Sequence, residues 1–479
     1  MTLPPPPLLL AETLRRVERR YRLPPLATPA SLTDADTPAT KLAVAIEAAR
    51  KAAASAHVPD AALERLFADA LAQMIRHAMR PEGGDAMLQA TVLRHREAQV
   101  REYAELAASA DQDRRTIHAA VNAIAHPAKL ERQPPGAQRD GLARLQAAAA
   151  SASWPELMQE LGRLHESPDI AASPALARDI AKLAAQPALV HLLRLDALTA
   201  DARVRQYRAL LERNGPRPGS AQAIAQGTRS QQRGAAVEML AMQALDALAQ
   251  RLNAANPTNP PYRVVTSMRV PSAIPGSHER AKTEWDAVLL ERATASADAA
   301  DAANAADTAN TAEVWNIRLL LEAKASVDAA TTDLPRLLRG LRLLAHADVD
   351  RVYTFETQQG SVKLSGASLH ALSTDDAALR DAVLYCCDAP AETPPRLLGA
   401  ASRMQLLSAH PSVGFANALA EHRSASAHAL DTIWQALLES PHWHSVLHQY
   451  PMLVQVRDLM VHTDDLMAAI RSLPQSGLS

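Results

Sequence analysis

The chain is poor in cysteine, aromatic residues, net charge and long apolar runs, and each shortage closes off a class of protein. Its two cysteines, Cys386 and Cys387, are adjacent. Neighbouring cysteines seldom bond to one another, and no second pair is present to complete a zinc site, so no disulfide framework or zinc ribbon is expected. Both lie in the apolar run Ala382 to Cys387, which reads as buried free thiols and fits a reducing cytoplasm. Aromatics are 3% of residues, so Ala and Leu carry most of the 48% hydrophobic content, a bias that favours helices. The formal charge of -2 gives no global basic field, so a polyanion must be met by a local patch. No stretch approaches 18 uninterrupted apolar residues, and the opening MTLPPPPLLLAETLRR has no basic n-region. The expectation is a soluble cytoplasmic protein without a membrane partner. A phosphate-binding glycine loop, a G-x-S-x-G elbow and strand–helix alternation over the whole length are also missing. That argues against a nucleotide-driven motor, a serine hydrolase and a TIM barrel.

At 479 residues the chain has room for two to four domains. Residues 1–213 read as a helical N-terminal domain. Thr37-Pro38 places an N-cap before a proline at the first helical position, and Asp60 caps a second helix carrying Leu63, Leu66, Phe67, Leu71 and Met74. A further helix is expected over Ala86 to Ala107, and another capped at Asp111 or Asp113 and closed by Pro127. The Gly/Pro-rich Asn214 to Ser220 opens a linker taken as 214–229. Residues 230–390 form a core, and 391–479 are helical again, with runs at Asn417 to His428, Asp431 to Leu438 and Leu453 to Leu473.

Within the core, Tyr262 to Val270, Thr283 to Leu290, Val314 to Ser326 and Val349 to Glu356 are β-branched or alternating runs that predict strands, with Ser361 to Leu364 as a fifth. Helices are predicted at Gln231 to Leu252 and Asp333 to Ala347, giving the order α-β-β-β-α-β. The low-complexity stretch 293–311 has no large apolar residue to bury and reads as a solvated insertion between the second and third strands.

Leu319-Leu320-Leu321-Glu322-Ala323-Lys324 carries the chemistry. Three leucines mark a buried strand, and alternation sends Glu322 and Lys324 to one face at its end. Charges so placed must be paired or bound, because burying them alone is costly. Asp286, in Glu284-Trp285-Asp286-Ala287-Val288, faces Glu322 across the ladder at about 5 Å. Two carboxylates that close repel unless a cation lies between them. Glu238 shares a helical stripe with Gly234, Met242 and Leu245 and points the same way.

This ordered set resembles the PD-(D/E)XK nuclease superfamily: Gly234-x-x-x-Glu238 on a helix, Asp286 on the second strand, Glu322-Ala323-Lys324 on the third, then a helix and a strand. The likeness covers Ser230 to Glu356. Trp285 stands where the family has proline, and the insertion lengthens the path from Asp286 to Glu322. The resemblance implies a restriction-endonuclease-like αβββαβ core with a mixed sheet, set in an α+β/α chain with mostly helical flanks. It implies metal-dependent phosphodiester hydrolysis, of DNA above other nucleic acids. Asp286, Glu322, the Ala323 carbonyl and Glu238, directly or through water, would hold Mg²⁺ or Mn²⁺, and Lys324 would orient water or steady phosphate charge.

Arg229, Arg233, Arg336, Arg339 and Arg342 are the expected nucleic-acid contacts, the last three recurring opposite a leucine stripe that equally suits a solvated amphipathic face. His442, His444 and His448 lack a fourth ligand for zinc. The alternatives are an inactive nucleic-acid-binding relative and a helical scaffold that meets a protein partner through its flanks.

Overall fold

The computed structural model describes residues 7–216, 219–254, 256–293 and 313–473. They gather into two compact units: residues 1–71, 221–406 and 431–479 in one, 72–220 and 407–430 in the other. The expected insertion lies almost wholly outside the described residues. Among them, no helix is long and apolar enough to cross a membrane.

The first unit holds the sheet. The elements that build and flank it include α1 (Leu8–Arg16), α2 (Ala221–Asn253), β1 (Tyr262–Arg269), β2 (Glu284–Arg292), β3 (Val314–Ala323), α3 (Val327–Leu344), β4 (Val352–Thr357), β5 (Gly360–Ser365), β6 (Val383–Cys387), α4 (Gln449–Leu459), β7 (Met460–His462) and α5 (Thr463–Ser472). Strands β1, β2 and β3 form an antiparallel meander with Val265 opposite Val288 and Ala287 opposite Leu321. The mixed sheet curls: the order β2-β1-β4-β5-β3 closes on itself through the β2–β3 ladder, and β6 and β7 extend it from β3. Closure rests on short contacts, one residue pair between β1 and β4 and two between β3 and β5.

Strand alternation divides the apolar residues between two layers. Ala287, Leu289, Leu319, Leu321, Leu384 and Cys386 pack beneath α2 through Val237, Ala241, Leu245 and Leu248. Val288, Leu290, Leu320, Val383 and Tyr385 pack beneath α3 through Ala330, Leu334, Leu337, Leu341 and Leu344. That stripe recurs at helical spacing, and each fully buried leucine contributes about 1.5–3 kcal/mol relative to exposure. Ser326 starts α3 by accepting a hydrogen bond from the Ala329 N–H at 3.2 Å.

Several boundaries differ from the sequence reading. Residues 1–71 belong with the sheet rather than with a 1–213 domain, because Leu10, Leu14 and Val17 pack under α2 and Tyr21 joins the α3 layer. The 214–229 linker is shorter than expected, since Ala- and Gln-rich sequence carries α2 back to Ala221. The strand expected at Val349 to Glu356 is present as β4 and pairs with β5 as a hairpin, while β6, in the apolar run noted for its cysteines, is the parallel neighbour that aligns Glu322 with Tyr385. The Leu453 to Leu473 run is split by β7, which pairs with β6. Residues 407–430 of the expected C-terminal region join the helical unit.

That second unit contains helices including Ala86–Arg96, Ala98–Ala125, Ala137–Ala150, Trp154–His165 and Pro187–Thr199. Its main core joins Ile117, Val121, Leu142, Leu145, Trp154, Leu157 and Leu189. Asp111 and Asp113 cap nothing; they lie inside Ala98–Ala125, where they pair with Arg114 and with Ser109. Thr37 and Asp60 do cap, accepting from the N–H groups of Thr40 and Ala62 at 3.1 Å each.

Candidate active site

One step beyond the Ala287–Leu321 pair, Asp286 and Glu322 face each other at the ends of β2 and β3. Both share the strand face of Val288 and Leu320, so they point toward α3. The Asp286 carboxylate accepts the Ala323 N–H at 2.9 Å, tying the two strand ends together. Lys324 continues the parallel ladder by donating its N–H to the Cys386 carbonyl at 2.8 Å. Its ammonium then returns to the same face and lies 3.0 Å from Glu322 Oε2, 3.8 Å from Asp286 Oδ2 and 3.7 Å from Asp333 Oδ2. The three residues singled out on β2 and β3 therefore converge.

Three further groups complete the cluster, and sequence reasoning missed all of them. Lys282 comes from the segment before β2, pairs with Glu322 at close range and lies 3.9 Å from Asp333. Asp333 projects from α3, and the Tyr385 hydroxyl of β6 donates to it at 3.2 Å. Asp333 left a trace in the sequence: it shares the buried stripe of α3 with Leu337, Gly340 and Leu344, an acid on an otherwise apolar face. Lys282 left none, because it sits in an irregular segment with no periodicity.

The backbone around Lys282 is clamped onto α3. Its N–H donates to the Arg336 carbonyl at 3.0 Å, and the Arg339 guanidinium donates to the Arg280 carbonyl at 2.8 Å. Gly340 makes this approach possible: a Cβ there would stand 2.7 Å from the Lys282 carbonyl oxygen. Arg339 is thus engaged with protein, whereas Arg336 and Arg342 are exposed.

Three carboxylates meet two ammoniums in a group whose centre is buried. The Glu322 side chain is 0% exposed and that of Lys282 8%. Burial first, and then the Asp286 charge, push the Glu322 carboxyl up to about 8, against the pull of Lys282 and Lys324. Burial works against the Lys324 ammonium, yet Glu322, Asp286 and Asp333 together outweigh it and hold it above the ordinary lysine value. The Tyr385 hydroxyl is driven upward by burial and then by Asp333 and Glu322, so it stays a donor.

Glu238 lies outside the packed cluster. It stands on α2, over the other face of the sheet, exposed, and among the described residues it forms no hydrogen bond or ion pair. Its carboxyl is raised by burial and then by the charge of Asp286, so it belongs to the field of the site and not to the packed cluster. Arg229 and Arg233 lie one turn apart on the same helix, exposed, Arg233 3.4 Å from Asp388. The terminal histidines are elsewhere, with the His444 and His448 rings stacked at 4.1 Å and His442 edge-on to Trp443.

Among the described residues, no three His, Cys, Asp or Glu are gathered in a ready metal-ligand group. The donor chemistry nonetheless suits a hard divalent ion: three carboxylates reach one cationic nitrogen within 4.0 Å, and Glu322 Oε1 is buried with no hydrogen-bond partner. Lys324 supplies positive charge at that point. Comparison with protein-family models, with curated proteins and with solved structures gives no match.

Proposed function

We propose that the sheet unit is a metal-dependent nuclease core of PD-(D/E)XK type that hydrolyses phosphodiester bonds in DNA. The observation that carries this reading is the convergence of Asp286, Glu322 and Lys324 at the ends of adjacent strands. The element order supports it: α2, the meander β1–β2–β3 and α3 are followed, after the β4–β5 hairpin, by β6 parallel to β3.

Asp286, Glu322 and the Ala323 carbonyl would hold Mg²⁺ or Mn²⁺, which when bound polarises a phosphate and acidifies water. The chain's own residues do the rest. Asp286, braced by the Ala323 N–H, fixes the gap between β2 and β3. Lys324 is mostly covered by the cluster, with 17% of its side chain exposed, and its ammonium is placed to meet phosphate charge as it develops. Lys282 stays on Glu322 and Asp333, so Lys324 can turn to substrate without stranding a buried carboxylate. Arg229, Arg233, Arg336 and Arg342 would supply phosphate contacts.

The test is incubation with plasmid and with labelled single-stranded and duplex oligonucleotides in Mg²⁺, in Mn²⁺ and in EDTA. The reading predicts cleavage that needs the metal; intact substrates under all conditions contradict it. A second reading is favoured by one observation, the two lysines that already answer the carboxylates. There the cluster is a structural ion-pair network in a nucleic-acid-binding module, and the same incubation shows binding without turnover.

A further inference from the structure

The N-terminal half of α2 is a different object from its C-terminal half. From Val237 onward the helix packs on the sheet through Val237, Ala241, Ala244, Leu245 and Leu248. Over residues 221–236 nothing is buried, and only Ala223 and Gly234 are even half-covered. At 1.5 Å per residue this solvated stretch reaches about 24 Å.

Its composition is one-sided. Residues 221–237 contain Arg229, Arg233 and four glutamines but no aspartate or glutamate. Gln222, Gln226, Arg229 and Arg233 recur at i, i+4, i+7 and i+11, which aligns them on one face. Arg229 has no carboxylate partner among the described residues. Gly227 and Gly234 are poor helix formers, and nothing lies within 4 Å of where their Cβ atoms would stand, so the backbone there is open to close approach. Ile224, 63% exposed, is the one large apolar side chain on the solvated stretch, too little for a helix partner or a lipid surface.

The arm ends beside the strand that neighbours the site. Arg233 pairs with Asp388 just past β6, the strand aligned with Glu322 and Ala323, and Glu238 feels Asp286 and Lys324.

We infer that residues 221–236 form a nucleic-acid-binding arm that grips the phosphate backbone of a strand leading to the Asp286–Glu322–Lys324 cluster, an inference that rests on the nuclease reading for the nature of its partner. Guanidinium and amide donors on a helix without acids match a polyanion and carry no base readout, so binding is salt-sensitive and tolerant of sequence.

The experiment measures fluorescence anisotropy of labelled single-stranded and duplex oligonucleotides in EDTA, with the full chain and with Gln226→Glu/Arg229→Glu, at two salt concentrations. The expected result is affinity lower by about tenfold or more and a shallower salt dependence. Affinity unchanged within twofold overturns the arm. If circular dichroism shows that variant misfolded, Gln222→Lys/Gln226→Lys replaces it; tighter binding supports the arm, and unchanged binding overturns it. Cleavage of the same oligonucleotides in Mg²⁺ separates the two ideas. Metal-dependent cleavage with variant binding intact removes the arm alone, whereas a wild type that neither binds nor cleaves removes both. A change in oligomeric state without a change in DNA affinity also overturns the arm and assigns the face to a second copy.

Discussion

Lys324→Ala and Asp286→Ala each lower metal-dependent cleavage by about 10²–10³-fold or more while the fold survives. Lys324 is the ammonium nearest the open side of the cluster, and its loss removes the charge that answers the phosphate in the transition state. Folding survives because Lys282 remains on Glu322 and still neutralises the most deeply buried carboxylate. Asp286 is less buried than Glu322, with 22% of its side chain exposed, so water can cover the gap that alanine leaves. Cleavage rates at saturating substrate, with circular dichroism as the control for fold, decide the matter. Rates within a factor of three of wild type in both variants remove these residues from the chemistry.

Lys282→Met has the opposite profile, with a large effect on stability. It leaves Glu322, which is fully buried, with Lys324 as its remaining close cation. Removing one partner from a buried pair costs about 3 kcal/mol or more where the group left behind is ionised. The cost depends on pH, and its sign follows from Glu322. A carboxyl raised from its ordinary value to about 8 in the folded state favours folding while it is protonated, and that contribution fades as pH rises through the folded value. Without Lys282 the ionised form is worse still. Wild type and variant therefore lose stability with the same slope as pH rises toward 8, at most about 1.4 kcal/mol per pH unit for one proton, and the variant falls further behind only above the wild-type folded value. Urea unfolding followed by tryptophan emission reports it, since Trp285 and Trp315 lie within the sheet unit's core. Adding Glu322→Gln to Lys282→Met restores most of the loss and flattens the pH dependence. A gap between variant and wild type that is no wider at about pH 9.5 than at pH 7 contradicts the pairing of Lys282 with Glu322.

What could be read in the sequence was whatever has a period. Leu319 to Lys324 is a strand whose alternation places Glu322 and Lys324 together, and its pairing with β2 sets Asp286 opposite Glu322. The buried face of α3 was equally visible, and with hindsight so was Asp333 on it. What escaped depends on distant pieces of chain. Nothing local says that β6 is a strand beside β3, because a short apolar run suits a buried strand or a buried helix equally. Lys282 reaches the site because Gly340 lets its backbone press onto α3, a contact between segments about sixty residues apart. The place of Glu238 was hidden for the reverse reason: helical spacing fixes the stripe a residue lies on, but not which face of the sheet that helix covers.

The central claim is that carboxylates from separate strands make a cation site at the ends of β2 and β3. A calorimetric Mn²⁺ titration of the full chain against Glu322→Gln at pH 7 tests it most directly. The account predicts binding to wild type with release of a proton, because Glu322 must ionise to become a ligand, and binding that tightens as pH rises toward 8. Glu322→Gln, which keeps shape but not charge, should weaken Mn²⁺ by about tenfold or more without proton release. A wild type with no heat of Mn²⁺ binding, or a Glu322→Gln variant that binds as tightly, contradicts the claim.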